Sequence, residues 1–130
     1  MKFKVNELQG DLLDAAAALA SGYTAAGTKK EYGYIRWRTS DNEVLHYEFS
    51  PTRNANEIVR IVEQEGISSR KNQAGLVAAE HLWDAMSFDG TIFLCGPTFC
   101  VAVLRCFVAS KLGYEISIPK SILNDLEIPL

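Results

Sequence analysis

The side chains best suited to binding chemistry lie in two segments, EYGYIRWR (31–38) and VLHYEFS (44–50). Both alternate between apolar and polar residues, which predicts two strands of a hairpin around the turn TSDNE. One face of the hairpin would carry Tyr32, Tyr34, Arg36, Arg38, His46 and Glu48. Aromatic rings stack on bases and guanidinium groups bind phosphate, so this face is a candidate site for a phosphorylated, nucleotide-like ligand. The alternative is a solvated sheet face on which an arginine pairs with Glu48 across the strands.

A second group of candidate ligand-binding residues lies in the apolar segment GPTFCVAVLRCFVASKLG (96–113). Gly96 and Thr98 stand where a helix would begin, and free N–H groups at a helix N-terminus can bind an anion. The alternative is an ordinary helix start, capped by Gly96 or Thr98, with Pro97 in the first turn. Arg105 is the one charged residue in the middle of this helix. It is expected to reach the surface or to meet a buried carboxylate, because an unpaired buried guanidinium costs about 3–5 kcal/mol.

The sequence carries no recognisable catalytic motif. Its three cysteines, Cys95, Cys100 and Cys106, form no C-x-x-C pair or zinc knuckle, and an odd number of thiols favours a reducing compartment. A thiol could pair with His46 or His81, but cysteines in an apolar helix are usually inert packing residues. H-E-x-x-H, G-x-S-x-G and carboxylate-rich metal motifs are missing. We therefore predict a protein that is not an enzyme and uses no metal and no cofactor.

Three helices and about four strands are expected to position these residues. KFKV, near the start, predicts a short strand, and residues 10–21 predict a helix that ends at Gly22 and whose alanines pack against a sheet. A helix over 54–65 has the capping-box spacing of Asn54 and Glu57 and a C-terminal Gly66. The helix over 97–112 is apolar on most sides, so it is predicted to be central, and Lys111 and Gly113 favour its end.

The remaining strands are predicted between the last two helices. TIFLC (91–95) follows Asp89-Gly90, a turn that often joins antiparallel neighbours, and is expected to be buried. Residues 73–86 fit either a helix or a strand, and we favour a strand. The predicted fold is α+β: a small antiparallel sheet of about four strands packed against a central C-terminal helix, with two further helices, all in a single domain of residues 1–130.

Composition narrows the class of partner. The chain has 130 residues and a net charge of −3, which argues against general nucleic-acid binding because that depends on clustered lysine and arginine. No segment approaches the roughly 18 apolar residues that a membrane span requires. The first 22 residues carry acidic side chains that a secretory signal would not tolerate. A cytoplasmic location and no membrane partner are therefore predicted, and self-association into a homo-oligomer remains an option.

Several strings resemble the NinX-like family of small bacteriophage and prophage proteins of unknown function. They are the opening MKFKVNELQGDLLDAA, SPTRNANEIVRIVEQEGI over 50–67, and GPTFCVAVLRCFVASKLG followed by ISIP. The chain departs from the family at Ala15 and at Asn54-Ala55, where members often carry tryptophan. The resemblance implies a phage or prophage accessory protein in the host bacterial cytoplasm, most simply a non-catalytic binder of a host or phage protein. The alternative function is binding or sequestering a nucleotide-like ligand in counter-defence.

Overall fold

The computed structural model describes residues 1–73 and 75–128 and confirms the α+β class. The strands are β1 (Lys2–Lys4), β2 (Thr24–Gly27), β3 (Arg36–Arg38), β4 (Ser68–Lys71), β5 (Trp83–Met86), β6 (Phe93–Gly96) and β7 (Glu115–Ser117). The helices are α1 (Gly10–Ala20), α2 (Lys29–Tyr32), α3 (Ala55–Glu65), α4 (Phe99–Leu112) and α5 (Lys120–Asp125). Short 3-10 turns lie at Val5–Glu7 and Ala79–His81.

The strands are antiparallel, as predicted, but they are divided among three small sheets. β1 pairs with β7, β2 pairs with β3, and β4, β5 and β6 form a three-stranded sheet in that order. Strand β6 is therefore an edge strand of the largest sheet, and it lies close to the 3-10 turn at Val5–Glu7.

Helix α4 lies at the centre of the molecule and packs on β5 and β6, as predicted. The Thr98 hydroxyl accepts a hydrogen bond from the Val101 N–H, so Thr98 is the N-cap and Pro97 precedes the helix rather than filling its first turn. Helix α1 packs its buried alanines mainly on α4 rather than on a sheet, because alanine allows two helix axes to approach closely. Within residues 1–73 and 75–128, no helix is long and apolar enough to cross a membrane.

The hairpin predicted over 31–50 is only partly correct. Tyr32 ends α2, which begins with a capping box between Thr28 and Glu31 and stops at Gly33, whose φ is 83°. Strand β3 pairs with β2, and residues 44–50 contribute only the single bridge between Arg38 and Val44. The local capping signals override the period-two pattern at Tyr32, because they satisfy backbone groups that a strand would need a partner to satisfy.

The predictions for the middle of the chain are confirmed only in part. TIFLC was expected to be a buried strand, but β6 begins at Phe93, which is 52% exposed because only one face of the sheet packs on α4. The capping box predicted between Asn54 and Glu57 is replaced by a shorter contact, from Asn54 to the Asn56 N–H. Asn54 caps α3 through the Asn56 N–H, and Gly66 ends the helix with a φ of 68°. Residues 73–86 contain the favoured strand only at β5, preceded by the 3-10 turn, and residue 74 of that segment lies outside the described residues. Strands β5 and β6 flank the Asp89-Gly90 turn as antiparallel neighbours.

Strand β6 approaches α4 so closely that Gly96 has no room for a side chain. A Cβ on Gly96 would lie 2.7 Å from the Ala102 backbone nitrogen. We expect Gly96→Ala to lower the free energy of unfolding by about 1–3 kcal/mol, because backbone would have to move. Gly27→Ala is the control, since the three atoms nearest its Cβ are side-chain atoms, two of the exposed Tyr32 ring, which can rotate away, and the Arg36 Cβ at 3.3 Å. Urea unfolding of both variants tests this, and equal small losses would show that β6 and α4 separate easily.

Candidate functional site

Arg105 occupies an unusual position in the middle of α4. Arg105 is only 6% exposed, so it does not reach the surface, and it pairs with no carboxylate of the described residues. Both alternatives predicted from the sequence are therefore wrong. Instead, Nε donates a hydrogen bond to the Leu8 carbonyl and Nη1 donates one to the Cys95 carbonyl, both at 2.9 Å. Among the residues that the structure describes, no carboxylate oxygen lies within 4.0 Å of this guanidinium.

The two carbonyl partners explain how a cation is tolerated at this point. The Leu8 carbonyl lies between the first 3-10 turn and α1, and the Cys95 carbonyl belongs to edge strand β6. Arg105 therefore joins the edge of the largest sheet to the N-terminal segment. Burial lowers the pKa of the Arg105 guanidinium, but arginine keeps its proton in proteins. Carbonyl dipoles offset only part of the desolvation of a full charge, so the buried cation retains affinity for an anion.

A cavity of about 380 Å³ opens beside Arg105. Its lining residues come from the N-terminal segment, the second 3-10 turn, β6, α4 and the turn after α4: Lys4, Asn6, Glu80, His81, Phe93, Leu94, Cys95, Arg105 and Tyr114. The lining carries two cations, Lys4 and Arg105, against one carboxylate, Glu80. The amide of Asn6 and the hydroxyl of Tyr114 add neutral hydrogen-bond donors. We call this space the Arg105 cavity.

A second depression of about 290 Å³ adjoins the Arg105 cavity on the outer face of the three-stranded sheet. The two spaces share Phe93, which stands directly opposite Met86 on the neighbouring strand, and Met86 stands opposite Ser68. The next row across the same face places Arg70, Asp84 and Cys95 side by side. This outer face therefore has one row in which Phe93 and Met86 form an apolar pair beside Ser68, and one polar row.

The polar row is already satisfied by its own members. The buried Asp84 carboxylate accepts hydrogen bonds from the Cys95 thiol at 3.3 Å and from Arg70 Nη2 at 3.4 Å. Burial raises the pKa of Asp84, but the hydrogen bonds from Cys95, Asn72 and Arg70 outweigh that effect and hold the pKa below its ordinary value. Asp84 is therefore ionised at neutral pH and occupied within the sheet.

The thiols have the properties of packing residues rather than of nucleophiles. Burial raises the pKa of Cys95, and its hydrogen bond to Asp84 raises it further. Burial also raises the pKa of Cys100, and it raises that of Cys106 to about 11. Since the thiolate is the reactive form, these shifts lower the reactivity of all three cysteines at neutral pH.

The aromatic and basic face predicted from the sequence is dispersed. Tyr32 and Arg36 do meet, with the guanidinium carbon 3.8 Å from the ring centroid, although Tyr32 comes from a helix. Arg36 Nε is buried and, among the described residues, has no hydrogen-bond partner. Arg38 instead donates to the Asn42 side chain at 3.3 Å, and His46 is exposed. The arrangement leaves one stacked pair rather than a continuous surface.

Two further expectations for this face are wrong. Glu48 pairs with Arg53, a residue of the following turn, and not with an arginine of β3, because residues 44–50 do not continue beside that strand. Tyr34 lines a different cavity, of about 230 Å³, together with Trp37, Phe49 and Asp14. Tyr32 and Arg36 are not among the residues that line this cavity.

Asp14, the buried carboxylate of that cavity, was not among the site residues predicted from the sequence. Its two oxygens accept hydrogen bonds at 2.8 Å from the Thr52 N–H and the Thr52 hydroxyl, which ties α1 to the turn before α3. Burial raises the pKa of Asp14 from 3.8 to about 6, against the opposing effect of these hydrogen bonds. An acidic residue directly before the alanine run was the signal for this contact.

Gly96 and Thr98, the two residues predicted at the start of α4, fit the alternative to an anion site, which was an ordinary helix start. Thr98 caps α4 with its hydroxyl, and Gly96 provides the close contact between β6 and that helix. Arg105 lines the Arg105 cavity, and Tyr34 lines the separate cavity of Asp14. Lys4, His81 and Tyr114 line the Arg105 cavity from distant parts of the chain, and no local sequence pattern predicts that meeting.

No cluster of three or more His, Cys, Asp or Glu side chains suited to a metal ion occurs within residues 1–73 and 75–128. No protein-family model matches the chain, and no curated protein matches it either. The NinX-like resemblance therefore stays a prediction from the motifs.

Proposed function

We propose that this protein is a non-catalytic binding protein whose site, the Arg105 cavity, takes a small anionic group, either a phosphate or a carboxylate. One observation carries the proposal: a guanidinium that is almost completely buried, is bonded to two carbonyls and is not neutralised by any carboxylate of residues 1–73 and 75–128. A buried cation of this kind gains more from an incoming anion than an exposed one, because the surrounding protein screens the interaction less than water does.

The other lining groups support the same chemistry. Lys4 adds a second cation, and His81, Asn6 and Tyr114 can donate hydrogen bonds to anionic oxygens. The volume of about 380 Å³ is at the small end of the range of ligand pockets. With a net charge of −3, the rest of the chain repels long polyanions, which favours a ligand with one compact anionic group.

The biological setting is proposed from the motifs alone. The NinX-like strings support a phage or prophage accessory protein in the host bacterial cytoplasm. The high pKa values of the thiols and the lack of a catalytic motif support a binding role rather than an enzymatic one. A host or phage protein and a small phosphorylated compound are both compatible sources of the anionic group.

Matched lysine variants test the site, because both residues lie on β1 but only one lines the cavity. Lys4 lines the cavity, whereas Lys2 lies outside it and pairs with Glu115. In calorimetric titrations with inorganic phosphate, a nucleoside monophosphate and succinate, Lys4→Ala should weaken binding about tenfold, the loss expected for one charge-assisted hydrogen bond. Lys2→Ala should leave the affinity unchanged.

Arg105→Gln should reduce the affinity further, and Glu80→Gln should increase it because a competing negative charge is removed from the lining. Circular dichroism and the melting temperature establish that each variant is folded before its titration is interpreted. The proposal is wrong if the wild-type protein binds none of the three anions at millimolar concentration, or if Lys4→Ala and Lys2→Ala behave alike.

A further inference from the structure

Two apolar side chains stand exposed beside the Arg105 cavity. Phe93 is 52% exposed and Met86 is 41% exposed, and they are direct cross-strand neighbours on the outer face of the sheet. Single exposed apolar residues are common on protein surfaces. A directly paired phenylalanine and methionine form a continuous apolar contact surface, and methionine adapts readily to different partners.

This apolar pair is continuous with the anion site. Phe93 lines both the Arg105 cavity and the outer depression that contains Met86. Cys95, whose carbonyl accepts from Arg105, lies two residues further along β6 on the same face as Phe93. Side chains two residues apart on an extended chain are separated by about 7 Å. An extended peptide lying along β6 would therefore match this spacing with its own alternate side chains.

Positively charged side chains lie on both sides of the apolar pair. The Arg105 cavity has two cations and one carboxylate, and Arg70 and Lys71 are exposed on β4 at the opposite edge of the sheet. Arg70 forms an ion pair with Asp84, whereas Arg105 pairs with no carboxylate of the described residues. Arg105 is therefore the better partner for an incoming anion. A partner that fits would place an acidic side chain at Arg105 and an apolar one on Phe93 and Met86.

We propose that the anionic group is the side-chain carboxylate of an extended peptide segment in a protein partner. The aspartate or glutamate enters the Arg105 cavity, and a leucine, methionine or phenylalanine two positions away covers Phe93 and Met86. This inference rests on the proposed function, since it names the source of the anion. Such a peptide offers both a carboxylate and an apolar side chain, whereas inorganic phosphate and succinate offer only the anionic group.

Selection from a displayed random-peptide library against the full-length protein tests this partner class. The selected peptides are expected to share an acidic residue two positions from a large apolar one. Synthetic labelled copies, measured by fluorescence anisotropy, should lose about tenfold in affinity when the acid is replaced by its amide. Lys4→Ala should weaken both these peptides and inorganic phosphate.

Met86→Ser separates this inference from the proposed function. It should weaken peptide binding at least about fivefold and leave phosphate binding unchanged, because Met86 lines the outer depression but not the Arg105 cavity. Val59→Ser is the control: Val59 is 52% exposed, against 41% for Met86, but it lies on α3 and lines neither space, so both affinities should stay at the wild-type value. The inference fails if no peptides are enriched, or if selected peptides tolerate Met86→Ser or loss of the acid. Phosphate binding decides the proposed function independently.

Discussion

Replacing Leu104 with alanine is expected to lower the free energy of unfolding by about 2–5 kcal/mol. Leu104 is completely buried in the middle of α4, where the helix packs on β5, β6 and α1. Truncation removes apolar contacts on a helix that other elements surround, so the surrounding structure can collapse only partly into the space. Urea unfolding followed by circular dichroism measures the loss, and an unchanged dependence on urea concentration would show that the compactness of the two states is preserved.

Leu112→Ala provides a control on the same helix. Leu112 is the last residue of α4 and is 43% exposed, so its truncation should cost less than about 1 kcal/mol. The contrast isolates burial, because residue type and helix are the same. A loss below about 0.5 kcal/mol for Leu104→Ala would contradict the central position of α4.

The three longer helices could be predicted because their signals are local. Helix α3 has its apolar residues at helical spacing, its cap at Asn54 and its terminator at Gly66. The capping residue Thr98 and the long apolar segment after it indicate helix α4. Each of these signals acts within one or two turns of the helix, so it can be interpreted without knowing what the helix packs against.

Strand pairing was harder to predict because the partner lies elsewhere in the chain. Strand β2 contains two alanines and a glycine, which have low strand propensity, yet it pairs with β3 in place of residues 44–50. Strand β1 pairs with β7 at the far end of the sequence. Alternation identifies a segment that can form a strand, but it contains no information about which segment lies beside it.

The partners of Arg105 were unpredictable for a related reason. A side-chain carboxylate was predicted as the buried partner of Arg105, whereas the actual acceptors are the carbonyls of Leu8 and Cys95. Every residue has a backbone carbonyl, so residue identity does not mark which one is free. Only the topology, with β6 at the edge of its sheet, leaves the Cys95 carbonyl available.

Asp14 is another buried charged residue, and a backbone group also satisfies part of its hydrogen bonding. Thr52 provides both donors, one from its N–H and one from its hydroxyl. These bonds favour the ionised carboxylate, but desolvation by burial is the larger effect and favours the protonated form. The pKa of Asp14 therefore rises to about 6 in the folded protein, within the range of ordinary buffers.

This shift should make the protein more stable at mildly acidic pH than at neutral pH. The folded state holds the Asp14 proton up to about pH 6, whereas the unfolded chain loses it near the ordinary value of 3.8. The resulting stabilisation is complete below about pH 4 and is lost as the pH rises through about 6. The difference of about 2 pH units corresponds to roughly 3 kcal/mol of unfolding free energy. Asp84 has a lowered pKa, so its opposite contribution is lost only at lower pH.

Urea unfolding between about pH 4.5 and 7.5 measures this dependence, because Asp14 changes charge in that interval. Asp14→Asn should largely remove the decline in stability, since the amide retains an oxygen that can accept from the Thr52 N–H but carries no titrating group. Asp41→Asn, at an exposed turn position, controls for the loss of one negative charge and should keep the decline. If wild type and Asp14→Asn decline in parallel, another group causes the pH dependence. If the wild type shows no decline, the Thr52 hydrogen bonds balance the burial of Asp14, and the carboxylate is ionised throughout.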